Sequence, residues 1–266
     1  RLRVVTLVKN VGVARGFNTL RRHMSASSRR MVFLNNDIVL QEGWFEAMDR
    51  EMTEHPDVGV VGARLLYPQT GCIQHAGMLF RPVDSGKTFE LFHVAMNNPA
   101  DSPEVRRPRD YPAVTGALMM TSTELFDRAG GWDDRYWLSC EDTDFCLKVL
   151  DWGKRVRYLP AATAWHFGSV TVAGHLSAED QNLAHLNRRW AKKVFRKWKH
   201  FIADPFDPLR AHLKQGRKRA LIFGTGSRAE RFLPMIHKLG FNLVGFSDNN
   251  PARHHGVFHG KPVVTP

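Results

Sequence analysis

The chain sorts into short apolar runs separated by polar turns. Arg3–Val8 is rich in β-branched residues and predicts a strand. Asn10–Asn18 carries glycines and predicts a turn that enters a helix near Thr19–Met24. Met31–Leu34 predicts a second strand, which runs directly into the polar triplet Asn35, Asn36, Asp37. Gly43–Glu54 places Trp44, Phe45 and Met48 at helical spacing. Val58–Leu66 predicts a third strand and Met78–Phe80 a fourth. Short strands alternating with helices specify an α/β layered fold with a mixed, mostly parallel sheet flanked by helices.

Residues 82–112 break the pattern. Pro, Asp, Ser, Asn and Arg are frequent there, and the segment predicts a long loop, of the kind that is a lid, a binding loop or disordered. Structure resumes with the apolar stretch Ala113–Thr121, a helix around Glu124–Ala129, and a strand at Val156–Leu159. The clearest helix spans 178–202, where Leu183, Leu186, Trp190, Val194, Trp198 and Ile202 recur at three- and four-residue spacing. Beyond residue 203 a connector over 204–216 predicts a boundary, followed by a second unit over 217–266. In that unit Ala220–Phe223 and Leu243–Phe246 predict strands around a helix at Arg228–Leu239, and Gly256–Val263 predicts the next strand segment.

Composition narrows the function classes. With 266 residues, 43% hydrophobic and 24% charged, the chain is globular in character rather than disordered. No apolar run approaches the roughly 20 residues that span a bilayer. Three cysteines, none in a CxxC pair, argue against a disulfide scaffold or a zinc–thiolate site and favour a reducing compartment. The net charge of +12 points to polyanions: nucleic acid, anionic lipid head groups or phosphorylated substrates. Much of it lies on the 178–202 helix, as Arg188, Arg189, Lys192, Lys193, Arg196, Lys197 and Lys199. That face is either simply solvated or a platform for an anionic membrane surface or phosphorylated acceptor. The chain opens on Arg1 and enters a strand-like run at once, from which an incomplete chain is expected.

Two segments carry candidate chemistry. A strand ending in Asn35, Asn36 and Asp37 sets a carboxylate at the carboxyl edge of a sheet, where open α/β sheets bind ligands. Oxygen ligands with one anion suit a hard divalent cation completed by phosphate oxygens and water, although the same triplet could be a turn cap. Glu141, Asp142 and Asp144 open a helix, where acids also complement the helix dipole. Before them, Gly130–Trp137 is turn-forming and aromatic, as a sugar-binding wall is. His166 follows a strand; a lone histidine is more often structural, but with an acid cluster and a carboxylate triplet elsewhere in the chain it is also a candidate metal ligand.

Eight blocks in order carry a resemblance: Asn10–Asn18, Phe33–Ile38, Gly43–Phe45, Ile73–Gly77, Val114–Met120, Gly130–Asp134, Glu141–Lys148 and His166–Ser169. Over roughly residues 3 to 200 the chain resembles family-two glycosyltransferases of GT-A fold, especially bacterial rhamnosyl- and galactofuranosyl-transferase-like members that build surface glycans. The resemblance implies a metal-dependent, inverting transfer from a nucleotide-diphosphate sugar to a glycan or lipid-linked acceptor, with Mn2+ or Mg2+ as cofactor. It implies that Asp37, Asn35 and His166 hold the metal, with Asn35 standing where many members have Asp. It gives the base to Asp142, with Glu141 and Asp144 as competing assignments. Donor binding falls to Asn10, Arg15, Asn18, Asn36 and Gly116, and acceptor or sugar binding to Trp132, Asp133 and Trp137. The family's first strand and its nucleoside-contacting acid are expected before Arg1.

In the second unit, Gly224 and Gly226 follow a strand, and Asp248 stands 22 residues beyond Gly226. That spacing fits a dinucleotide-type fingerprint and predicts a partial Rossmann-like nucleotide-binding unit. Two rival functions stand beside sugar transfer. A non-catalytic nucleotide-sugar- or glycan-binding relative is favoured by the Asn-rich triplet. A nucleic-acid binder is suggested by charge alone, with no recognisable module, so no nucleic-acid partner is expected. Nucleotide-sugar supply and cysteine usage predict a cytoplasmic protein, and the basic helix, where it is a membrane platform, places it peripherally at the inner membrane face.

Overall fold

The computed structural model describes residues 3–168, 176–203 and 213–266. The chain forms two units, Arg1–Ala203 and Asp204–Pro266. The expected 204–216 connector lies largely outside the described residues, as does Ser169.

Arg3–Val8 forms no strand. Val4, Leu7 and Val8 are in solvent, with Val4 78% exposed. The expected turn is confined to Asn10–Gly12, and helix α1 (Val13–Arg21) starts six residues earlier than the sequence suggests. Asn10 Oδ1 accepts the Gly12 N–H at 2.9 Å. Gly12 has φ +80°, and a Cβ there would lie 2.6 Å from the Trp137 carbonyl oxygen. Gly16, read as part of the turn, lies inside α1 facing open space, so it lowers helix propensity by about 1 kcal/mol without touching the packing.

Strand β1 (Arg30–Leu34) leads through the Asn35–Asp37 turn to β2 (Ile38–Leu40), helix α2 (Trp44–Glu54) and β3 (Val58–Leu66). β3 is almost continuously apolar because it is covered on both faces. The short β4 (Ile73–His75) turns back along it.

The segment expected to be a long loop is partly ordered. β5 (Met78–Val83) and β6 (Thr88–His93) make an antiparallel hairpin, and β7 (Arg109–Asp110) adds a short edge. Frequent turn residues concealed the inward side chains Phe89 and Leu91.

β8 (Leu118–Ser122), α3 (Thr123–Arg128), α4 (Glu141–Asp151) and β9 (Arg155–His166) complete the sheet. Its order is β1-β8-β3-β9-β2, with β4 on β3 and β7 on β9. The mixed α/β sheet flanked by helices is the expected one. Its parallel character lies in the long central pair β3–β9, and the flanking pairs are antiparallel. One face packs Met31, Phe33, Met119 and Phe145, and the other packs Val61, Leu118 and Met120 against Met48 of α2.

Helix α5 (Leu176–Lys197) follows the expected apolar stripe. Leu186, Trp190, Val194 and Trp198 bury themselves against Phe80 and Phe89 of the hairpin. Asn187 seals the contact: its Oδ1 accepts the Phe89 N–H, and its Nδ2 donates to the Phe89 carbonyl, each at 2.7 Å.

In the second unit, β10 (Arg219–Phe223), α6 (Ser227–Leu239) and β11 (Asn242–Ser247) form a parallel β-α-β crossover. β12 (Val257–Phe258) and β13 (Lys261–Val264) extend it to a four-stranded sheet.

Candidate functional site

Strand pairing brings the Asn35–Asp37 turn and the end of β9 together. Ile38 of β2 is registered opposite His166, the last residue of β9. The Phe167 N–H donates to the Asp37 carbonyl at 3.0 Å, and the Gly168 N–H to Asp37 Oδ2 at 3.0 Å. His166 Nε2 then stands 3.2 Å from Asp37 Oδ1.

Gln74, on β4, decides which imidazole nitrogen carries the proton. Its Nε2 donates to the His166 main-chain carbonyl at 3.0 Å, a group that can only accept. The amide oxygen therefore faces His166 Nδ1, at 2.5 Å, and Nδ1 must be the donor. Burial holds His166 below the ordinary imidazole pKa, against the opposing pull of Asp37. In the neutral form that burial favours, the ring proton is on Nδ1 and the Nε2 lone pair faces a carboxylate oxygen, a contact that either a proton on Nε2 or a cation held by both groups stabilises.

These groups open onto a cavity of about 450 Å3 lined by Asn35, Asn36, Asp37, Gln74, His75, His93, Thr115 and His166 among others. Among the described residues no set of three or more His, Cys, Asp or Glu side chains is grouped as a metal cage. Asp37 and His166 are two ligands, and the amides of Asn35 and Asn36 line the same space. The donor set fits a hard divalent ion that takes its remaining positions from phosphate oxygens and water.

Asp142, half-buried, is bonded to the main chain beside Thr115, which lines the cavity. Two consecutive left-handed residues, Ser139 (φ 69°) and Cys140 (φ 70°), turn the chain into α4. Such conformations cost on the order of 1–3 kcal/mol each and persist only where their surroundings fix them. Here Asn182 of α5 donates to the carbonyls of Leu138 and Ser139. The turn delivers Asp142 to the Thr115–Gly116 peptide. Its Oδ2 accepts the Gly116 N–H at 2.8 Å, and its Oδ1 accepts from Thr143 N–H at 2.6 Å and Thr143 Oγ1 at 3.3 Å. Burial raises the Asp142 pKa, while these donors favour its carboxylate.

Glu141 is buried with Oε2 unpartnered, and burial first and the Asp142 charge second push its pKa up to about 8. Asp144 is fully buried: its Oδ1 accepts from Trp190 Nε1 at 2.7 Å, and its Oδ2 meets Lys148 Nζ at 3.2 Å. That engagement makes Asp144 a tie between α4 and α5 and removes it from competition for the base.

Other expected residues fall elsewhere. Trp132, expected against sugar, is a core side chain: 2% exposed, stacked on Phe33 at 4.3 Å and edge-on to Phe17. What little of it is accessible borders the cavity that Asn18 and Asp133 also line. Asn18 clamps the following turn, accepting the Trp132 N–H at 2.9 Å and donating to the Trp132 carbonyl at 2.8 Å. Asn18 and Asp133 line a separate cavity of about 540 Å3. Asp133 is held by Arg135, whose hydrogen bonds bring its pKa down to about 2. Asn10 is spent on the Gly12 N–H, and Arg15 is exposed, 3.5 Å from Asp134. Trp137 accepts the Val13 N–H at its carbonyl, 2.9 Å away. Gly116 contributes its N–H to Asp142.

In the second unit Gly224 has φ +92° and Gly226 caps α6. Asp248 accepts from Thr225 Oγ1, and Arg253 Nη1 lies 3.7 Å away, so protein groups already engage that carboxylate.

Gln74, His75, His93, Thr115 and Asn182 carry no role in the sequence reading. The only signal for the first two was their place inside the Ile73–Gly77 block.

No known protein-family profile matches the chain. It is 31% identical over 203 residues to the uncharacterized protein y4gI of Sinorhizobium fredii, covering 72% of this chain and 21% of that protein. Over 134 residues it is 31% identical to the O-antigen biosynthesis protein RfbC of Myxococcus xanthus, covering 49% of this chain and 10% of that one. Over 81 residues it is 32% identical to the rhamnosyltransferase WbbL of Escherichia coli, covering 30% of this chain and 25% of that one. The chain therefore spans a quarter or less of the length of each of these relatives. Among solved structures, GalNAc-T7 with UDP, GalNAc and Mn2+ superposes with a TM-score of 0.53 at 11% identity, over 79% of this chain and 41% of that one. The mixed α/β architecture is that of the GT-A glycosyltransferases.

Proposed function

We propose that the first unit transfers a sugar from a nucleotide-diphosphate sugar to a glycan or lipid-linked acceptor, with inversion, in surface-polysaccharide synthesis. The observation that carries the reading is the facing pair of acceptors, Asp37 Oδ1 and His166 Nε2, in a ligand-sized cavity at the end of β9. RfbC and WbbL are named for O-antigen synthesis and rhamnosyl transfer, and the GT-A fold suits the same chemistry.

Asp37 and His166 would hold Mn2+ or Mg2+, which when bound supplies Lewis-acid neutralisation of the diphosphate. Gln74 holds the His166 ring through Nδ1 with Nε2 aimed at Asp37. Asn35 and Asn36 offer uncharged polar groups to the donor. Asp142 is the base. A carboxylate raised by burial and oriented by three donors is suited to accept a proton from an acceptor hydroxyl. That hydroxyl oxygen bonds to the anomeric carbon as the bond from carbon to the diphosphate oxygen breaks, and the electron pair leaves with the diphosphate. One displacement with one base inverts the anomeric centre.

The test uses the chain with a panel of UDP-, GDP- and dTDP-sugars, glycan and lipid-linked diphosphate acceptors, and Mn2+ or EDTA. Products are read by NMR. The expected product depends on the metal and has inverted configuration. Asp142→Asn is expected to lower transfer on the order of 10²- to 10⁴-fold while leaving nucleotide binding intact. Transfer by Asp142→Asn within about tenfold of wild type would remove it from the role.

A further inference from the structure

Gln74 and His75 are adjacent on β4, and a strand sends successive side chains to opposite faces. Gln74 holds His166. His75, fully buried, reaches the other part of the site. Its Nε2 accepts two main-chain N–H groups, from Gly77 and from Thr115, each at 3.2 Å. A nitrogen that accepts twice carries no proton, so the ring proton is on Nδ1, 2.9 Å from His93 Nδ1. His93 accepts there, and its own hydrogen bond goes to the Gln74 main chain. Every donor and acceptor in this chain of contacts is matched with both rings neutral, and burial lowers the pKa of each.

The Thr115 N–H is next to the Gly116 N–H, which holds Asp142 Oδ2 at 2.8 Å. There is little slack at that point. A Cβ on Gly116 would lie 3.0 Å from the Trp132 ring and 3.2 Å from Asp142 Cβ. The path of the 115–116 main chain therefore sets where Asp142 sits, and His75 anchors that path to the strand that also carries Gln74.

We propose that His75 is a positioning residue: through the Thr115–Gly116 peptide it fixes Asp142 relative to the Asp37–His166 pair, which Gln74 holds from the same strand. This rests on the reading of Asp142 as the base. His75 touches no reacting atom. Its contribution is a neutral ring acceptor where the main chain needs one.

Two substitutions separate positioning from mere filling. In His75→Gln the side-chain oxygen can take the place of Nε2 and accept both N–H groups. In His75→Asn the shorter side chain reaches the level of Nδ1 and cannot meet Thr115. Both keep a polar amide in the same buried space. Amide hydrogen exchange of Thr115 and Gly116 in the chain, followed by NMR, is expected to accelerate about tenfold or more in His75→Asn and to stay near wild type in His75→Gln. With a sugar donor that supports transfer, His75→Asn is expected to lower kcat about tenfold or more with KM for the donor nearly unchanged, and His75→Gln to recover it. Equal exchange in the two variants, or an exchange contrast with kcat unaffected, would overturn the positioning role. An exchange contrast in a chain whose wild type transfers no sugar with any donor would overturn the transferase reading, while leaving the anchoring of the 115–116 peptide in place.

Discussion

Glu141 stands at the first position of α4 with one carboxyl oxygen buried and unpartnered, next to Asp142. Its folded pKa of about 8 lies above the ordinary 4.5, so the folded state binds the extra proton between those values. Stability is therefore greatest below the ordinary carboxylate pKa and is lost as the pH rises toward 8. Calorimetric melting at pH 5 and pH 8 should show a larger fall in Tm for wild type than for Glu141→Gln, by on the order of a few degrees. Equal falls would mean that Glu141 ionises without cost. At this scale the sequence was informative about chemistry and poor about geometry. Asp37, His166 and Asp142 stood out as acid and imidazole groups near predicted strand and helix ends. Nothing local distinguished Trp132, a core ring, from a sugar-binding one, because burial depends on Phe17 and Phe33 more than 90 residues away in sequence. Gln74 and His75 were equally opaque, since their roles depend on strand pairings that bring residues 74 and 166 together.

The elements differ in how far their own pattern determines them. The apolar stripe of α5 is regular enough to be read directly, and it packs as its periodicity requires. What could not be read is its tie to the acid cluster: Trp190 Nε1 donates to the buried Asp144, and Asn182 holds the left-handed turn before α4. Trp190→Phe keeps the packing and removes the donor. A hydrogen bond to a buried charge is worth about 1.5–3 kcal/mol, and chemical denaturation should show a loss of that order. Lys193→Gln removes an exposed ion pair with Asp151 and is expected to cost less than about 1 kcal/mol. A Trp190→Phe loss no greater than that of Lys193→Gln would mean that Asp144 does not depend on α5. The expected strand at Arg3–Val8 and the unexpected hairpin β5–β6 make the complementary point. β-branched residues form a strand only where a neighbouring strand accepts their hydrogen bonds, and a segment dense in turn residues can still pair when Phe80 and Phe89 have a helix to pack on.

On the scale of the molecule, the +12 charge is not spread evenly in its effect. On α5, Arg189, Lys193 and Lys197 are engaged by Asp133, Asp144 and Asp151, whereas Arg188, Lys192 and Arg196, with Lys199 just beyond the end of the helix, are exposed without ion-pair partners among the described residues. No described helix is long and apolar enough to cross a membrane. We propose that the four unpaired cations draw the chain to anionic lipid, each contributing on the order of 1 kcal/mol near such a surface. Changing Arg188, Lys192, Arg196 and Lys199 to Gln should abolish low-salt co-sedimentation with anionic vesicles. Changing Arg189, Lys193 and Lys197 instead should leave most of it. Equal sedimentation of wild type and the first variant would refute the association. The central claim, that Asp37 and His166 bring a divalent ion to a nucleotide diphosphate, is tested most directly by pulsed electron paramagnetic resonance of the chain with Mn2+ and, in turn, UDP, GDP and dTDP. The account predicts that for at least one nucleotide a single ion shows both imidazole nitrogen-14 and diphosphate phosphorus-31 couplings, and that His166→Ala removes the nitrogen coupling. Phosphorus coupling alone in the wild-type chain, from Mn2+ on nucleotide without His166, would contradict it.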